Sequence, residues 1–214
     1  MITINPVNLK SYTYFKQNNK ESDILKTALN ELKNIEFSSD DKKYIHKLGS
    51  RPPYSNGKEA YDFIKNNNIN VKFAKLPSND IHAQWDVDTK SIKINEIYKN
   101  TKNKAVILAI TEAIFHEAGH AKDLDGDSSI QEELNCLALN AMAHRALEKK
   151  YPNIYTTGDE NIVKKGVVLY ADIYFDPNPS RLIKKIQKSY SHLSAGDVFH
   201  PANNLALNIK YSNY

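Results

Sequence analysis

Apolar residues recur at helical intervals early in the chain. Ile24, Leu25, Ala28, Leu29 and Leu32 in ESDILKTALNELKNI predict a helix over 21–35. FSSDDKKYIHKLG, with Ser39 as cap, early acids and a closing glycine, predicts a short helix over 37–49. The turn-rich RPPYSNG leads into KEAYDFIKNNN, a third helix that ends in an asparagine run. Over 69–95 the period shortens to two. INVKFAKL is strand-like, and in IHAQWDV the set Ile81, Ala83, Trp85 and Val87 alternates with His82, Gln84 and Asp86. After a turn at 88–90, Ile92 and Ile94 alternate again in SIKIN, which predicts a hairpin inside a small sheet.

From Thr101, the expected cap, a helix runs through NKAVILAITEAIFHEAGHAKDL, and another spans about 130–149 before Tyr151-Pro152 stops it. Two more helices are expected near 159–174 and 180–192, on either side of FDPNP; the tail has no assignable pattern. Helices, then strands, then helices predict an α+β fold. The expected organisation is a loosely ordered segment 1–20, a helical part 21–68, a core 69–150 and a mostly helical part 151–214, all in one compact domain.

The helix over 101–123 carries His116-Glu117-Ala118-Gly119-His120. One turn apart, the two imidazoles project to the same side and could each hold zinc at about 2.0–2.1 Å. Glu117, directly after the first, would stand near an open coordination position and exchange a proton with a bound water. The alternative is a pair of solvated histidines on an amphipathic surface, and helical phase opposes it. With His116 at zero, Ile107, Ile110 and Ile114 lie at about 120–180° and form a core stripe. The histidine side holds small Ala109 and Ala113, together with Glu112 and Asp123, which could orient the imidazoles through their second nitrogens.

A third ligand must come from a neighbouring helix. IQEELNCLALNAMAHRAL is apolar nearly all round, so its polar residues carry information. Glu133, Asn140 and His144 fall within about 20° of one direction, whereas Glu132 points about 100° away. A carboxylate inside such a helix needs a partner, and zinc would be one. The turn through DGDSS would bring Glu133 to the histidine pair in an antiparallel hairpin. Phase favours Glu133 over Glu132 as the ligand; Asn140 and His144 become candidates for outer contacts.

The acidic turn also suggests calcium. Counted from Asp123, Asp125 and Asp127 fit the first positions of an EF-hand loop, but Ser128 replaces the glycine at position six and Leu134 the glutamate at position twelve. A cation held by the hairpin alone stays as an alternative. Cys136 sits among leucines and reads as a small buried hydrophobe; as the single cysteine it excludes an internal disulfide and fits a reducing compartment.

The net charge of +4 raises the question of nucleic acid. Of 29 basic residues only Arg51, Arg145 and Arg181 are arginines, and the lysines are scattered. A solvated lysine surface is expected instead, with no nucleic-acid partner. The longest apolar run, AVILAI, is far short of a membrane span, so no membrane partner is expected. MITINPVNLK lacks a basic leader followed by an apolar block. The expected location is the cytoplasm, with leaderless export still open.

Over about residues 81–147 the chain resembles the zincin metallopeptidases of the gluzincin type, on HEAGH followed by a downstream helical glutamate. Glu133-Leu134-Asn135-Cys136-Leu137-Ala138 is similar to the E-A-N-x-F-A pattern of ImmA/IrrE-like peptidases, with Leu134 in place of alanine. Glu132-Glu133-Leu134 also resembles exported zinc peptidase effectors. The resemblance implies a zincin-like core, a Zn2+ cofactor, a peptide or protein substrate, and an edge strand beside the active helix, here SIKIN. It also implies an oxyanion stabiliser, for which His192, His200, Tyr155 and Tyr170 are candidates. A catalytically inactive zincin-like binding module is the remaining alternative.

Overall fold

The computed structural model describes residues 23–47, 50–123, 129–154 and 188. The fold is α+β. Helices α1 (Asp23–Lys33), α2 (Ser39–Lys47) and α3 (Gly57–Asn66) come first, then strands β1 (Asn70–Ala74), β2 (Ala83–Asp86) and β3 (Ser91–Asn95). A 3-10 turn, Glu96–Tyr98, leads to α4 (Lys104–Lys122) and α5 (Ile130–Lys150). The segments 1–20 and 159–192, the calcium-like turn at 124–128, and Tyr155, Tyr170, His192 and His200 lie outside the described residues, except for Lys188.

Helix caps refine two expectations. Ser38, not Ser39, caps α2, its Oγ accepting from the Asp41 amide at 3.1 Å. Asn103, not Thr101, caps α4, accepting from the Ala105 amide at 2.9 Å, while Thr101 Oγ1 accepts from Asn103. In both places two short polar residues compete and the backbone course decides between them. At α5 the Ser129 hydroxyl accepts from the Glu132 amide and the Glu132 carboxylate accepts from the Ser129 amide, a complete capping box.

The sheet order is β1-β3-β2. β3 pairs in parallel with β1, Val71 opposite Ile92, and antiparallel with β2, Trp85 opposite Ile92. The expected hairpin is present, but SIKIN is the central strand, and β2 is an edge. Both flanks of β3 are taken, and Ser91, Ile92, Ile94 and Asn95 are buried. Trp85 and Ala83 pack against the core as their alternation predicts, while Ile81 and Val87 lie outside the short strand and are exposed.

Among the described elements α4 is central, packed by α1, α3, α5 and the sheet. Val106, Leu108, Ile110, Ile114, Phe115 and Ala118 are buried, whereas Ala109, Ala113, His116, Glu117 and His120 are half-buried and follow one another along a single stripe. Tyr54 reaches in behind this helix and donates its hydroxyl to the Ala118 carbonyl at 2.8 Å. No described helix is long and apolar enough to cross a membrane.

Two glycines permit the close approaches that set this arrangement. A Cβ on Gly57 would stand 1.8 Å from the Leu32 carbonyl oxygen, so α3 can begin against the end of α1 only without a side chain there. A Cβ on Gly119 would stand 2.7 Å from Cys136 Sγ and 3.1 Å from Leu139 Cδ1, so Gly119 sets how near α5 comes to α4.

Candidate metal centre

His116 and His120 stand one turn apart on the open stripe of α4, and their Nε2 atoms approach to 3.0 Å. Glu133, in the first turn of α5 and 8% exposed, directs both oxygens at them. Oε2 is 3.6 Å from His116 Nε2, and Oε1 is 3.6 Å from His120 Nε2. Three donor groups from two helices thus converge on one point, as helical phase predicts for Glu133.

The paired glutamates divide between two positions. Glu132 Oε1 lies 2.5 Å from His120 Nδ1, and its Oε2 accepts from the Ser129 amide at 3.4 Å. Glu132 therefore holds the far side of the His120 ring and caps α5 at once. A carboxylate at Nδ1 favours the tautomer with its proton there, leaving the Nε2 lone pair for the convergence point. The sequence carried a signal for this position that phase alone misses: Ser129-Ile130-Gln131-Glu132 spells a capping box, which aims the carboxylate back past the helix start.

Burial works against a positive charge on His120, but the Cys136 thiol and the Glu132 and Glu133 carboxylates outweigh it and push the pKa well up. The thiol cannot be the main source. Burial raises Cys136 itself to about 11, so at neutral pH it is uncharged and the two carboxylates favour positive charge at this point.

Glu112 and Asp123, the two acids expected on the histidine side, occupy different settings. Glu112, fully buried, places Oε1 3.1 Å from His144 Nδ1, one turn behind the motif. Asp123 ends α4 with an extended backbone, φ −69° and ψ 129°, and its amide donates to the His120 carbonyl. It is exposed. Asn140 and His144 are buried on the same side of α5 as Glu133, so the predicted polar stripe exists.

Glu117 is tied to the sheet: the Trp85 amide donates to its Oε2 at 2.7 Å. The opposite parity of β2 faces β3, because the His82 carbonyl accepts from the Asn95 amide at 3.0 Å. The amides and carbonyls of Ala83 and Trp85 consequently point away from β3, toward α4. A second grouping shares the histidines, since donor atoms of His116, His120 and Cys136 all lie within 4.8 Å of one another.

A neighbouring contact supports the start of α5 from outside. Asn135 Oδ1 accepts from the Arg51 amide at 2.7 Å, tying the Pro-rich connector to the helix one turn beyond the capping box. Compared with known proteins, the chain matches no family model, no curated protein and no solved structure.

Proposed function

We propose that the protein is a zinc-dependent metallopeptidase of the gluzincin type, with His116, His120 and Glu133 as metal ligands and Glu117 as general base. Donor spacing carries the reading. Tetrahedral ligands at about 2.0–2.1 Å from zinc lie about 3.3 Å from one another; here the two Nε2 atoms are 3.0 Å apart and each has one Glu133 oxygen at 3.6 Å, Oε2 for His116 and Oε1 for His120. Two imidazoles and one carboxylate, with the fourth position open, form a donor set suited to catalytic zinc. Bound zinc lowers the pKa of a coordinated water to about 7 and polarises a carbonyl.

The chain's own residues do the rest. Glu132 keeps the His120 proton on Nδ1. Glu117 takes the proton of the attacking water and returns it to the leaving amine. The Trp85 amide fixes one Glu117 oxygen, leaving the other to move that proton. The outward edge of β2, rather than SIKIN, supplies amides and carbonyls for the backbone of an extended peptide.

Metal analysis of the wild type and Glu117→Gln, alongside cleavage of a peptide library, tests this. One zinc per chain in both with cleavage in the wild type alone is expected; a wild type without zinc after metal-replete purification ends the proposal. The His116, His120 and Cys136 grouping favours a second reading, a closed cation site in the helical hairpin in which Glu133 would fill the fourth position and leave none for catalysis. Cys136→Ala separates the two, because it keeps zinc and cleavage in the first reading and loses the metal in the second.

A further inference from the structure

Among the buried polar atoms of the seam between α4 and α5 that have no hydrogen-bond partner are His116 Nδ1 and Asn140 Oδ1. Contacts on either side locate them relative to each other. One turn toward the start of α4, Glu112 meets His144; on the far side, Gly119 abuts Cys136 and Leu139. His116 follows Glu112 by four residues, and Asn140 precedes His144 by four. In an antiparallel pair both steps advance by about 6 Å in the same direction, so the two residues face each other.

Their chemistry is complementary. His116 presents Nε2 toward His120 and Glu133, and a neutral imidazole that offers the Nε2 lone pair carries its proton on Nδ1. That N–H, in a seam closed to solvent, needs an acceptor. The Asn140 carbonyl oxygen is an acceptor in the same position and in need of a donor.

We propose that Asn140 orients His116, its Oδ1 accepting from Nδ1–H across the helix seam, directly after a small side-chain rotation or through one buried water. Asn140 is a positioning residue: it acts on the metal only through His116, as Glu132 does through His120. A neutral acceptor suits this place, because Glu132 and Glu133 already supply two negative charges to balance a dication. The arrangement gives two residues of the α5 stripe linked parts, Glu133 toward the metal and Asn140 toward the ring that holds it.

The inference shares the zinc reading above for one arm of its test only. Nitrogen-15 spectra of the metal-free protein at alkaline pH report which ring nitrogen of His116 holds the proton. A single Nδ1–H form is expected in the wild type and in Asn140→Asp, and a mixture in Asn140→Leu. Zinc affinity, measured by competition with a chromophoric chelator, should fall 10–100-fold in Asn140→Leu and stay within a few-fold in Asn140→Asp. Thermal melts verify that both variants fold. An unchanged His116 tautomer in a folded Asn140→Leu overturns the proposal, as does zinc affinity within threefold of the wild type. If no form binds zinc but the tautomer responds as expected, the positioning role stands and the peptidase reading fails.

Discussion

Replacing Gly119 by alanine inserts a single methyl group between α4 and α5, the two helices that carry the proposed ligands. The new Cβ would lie 2.7 Å from Cys136 Sγ, whereas heavy atoms in contact rest about 3.5–4.0 Å apart. The shortfall is about 1 Å, and Cys136 is fully enclosed with a side chain too short to swing aside, so α5 must give. Overpacking of this kind costs about 1–3 kcal/mol, against a helix-propensity gain of about 0.8–1.0 kcal/mol for Gly→Ala. Net destabilisation of about 0–2 kcal/mol is expected in urea unfolding. Zinc should respond more sharply, because functional metal sites keep ligand distances to within about 0.2 Å and Glu133 would retreat by several times that. A loss of at least tenfold in zinc affinity is expected by chelator competition. Adding Cys136→Ala removes the obstructing sulfur and should restore most of both quantities. A Gly119→Ala protein with wild-type affinity, or a double variant as impaired as the single one, would refute the reasoning.

Glu133→Ala removes a proposed ligand and should abolish tight zinc binding, while Glu132→Ala, through the His120 tautomer, should weaken it 10–100-fold. Only Glu132→Ala breaks the capping box, so it should also cost about 0.5–2 kcal/mol in the metal-free protein; equal effects of the two on zinc would contradict the division of roles. Trp85→Pro deletes the amide that holds Glu117 at an outward edge where proline is tolerated. It should lower kcat more than Trp85→Phe does, and indistinguishable kcat values would count against that contact. Glu31 accepts from Lys104, Lys150 and Tyr151 at 2.6, 2.9 and 2.8 Å. Burial alone would raise its pKa, but these donors lower it to about 2. A depressed folded-state pKa contributes stability above the unfolded value, lost as the pH falls from about 5 to 2. The stability gap between wild type and Glu31→Gln should therefore narrow over that window, and a constant gap would show that the network contributes no such pH dependence.

The two site helices were legible because helical phase is a local property. The stripe of Glu133, Asn140 and His144, and the open side of α4, follow from spacing alone. The partners of the outer acids were not legible in the same way. Glu112 and Asp123 share the histidine side by angle, yet one meets a histidine 32 residues away and the other sits where the helix has already ended. Phase fixes direction around a helix and says nothing of what waits there. Strand order was hidden for a related reason. SIKIN alternates like a half-exposed strand, and only the return of β1 to pair with it in parallel makes it central. The Trp85 amide on Glu117 was beyond reach, since a backbone donor leaves no mark on residue identity.

The Glu132 carboxylate, shared between the Ser129 amide and His120 Nδ1, makes the first turn of α5 a fuse for the whole centre. Helix ends open at lower free energy than helix middles. When this end opens, the group steering His120 departs, and Glu133 departs with the same turn. With zinc bound as proposed, cation affinity should then fade on warming before the packed body of α4 and α5 unfolds, and one local opening rather than the stability of the whole molecule would set the temperature range over which the site holds its metal.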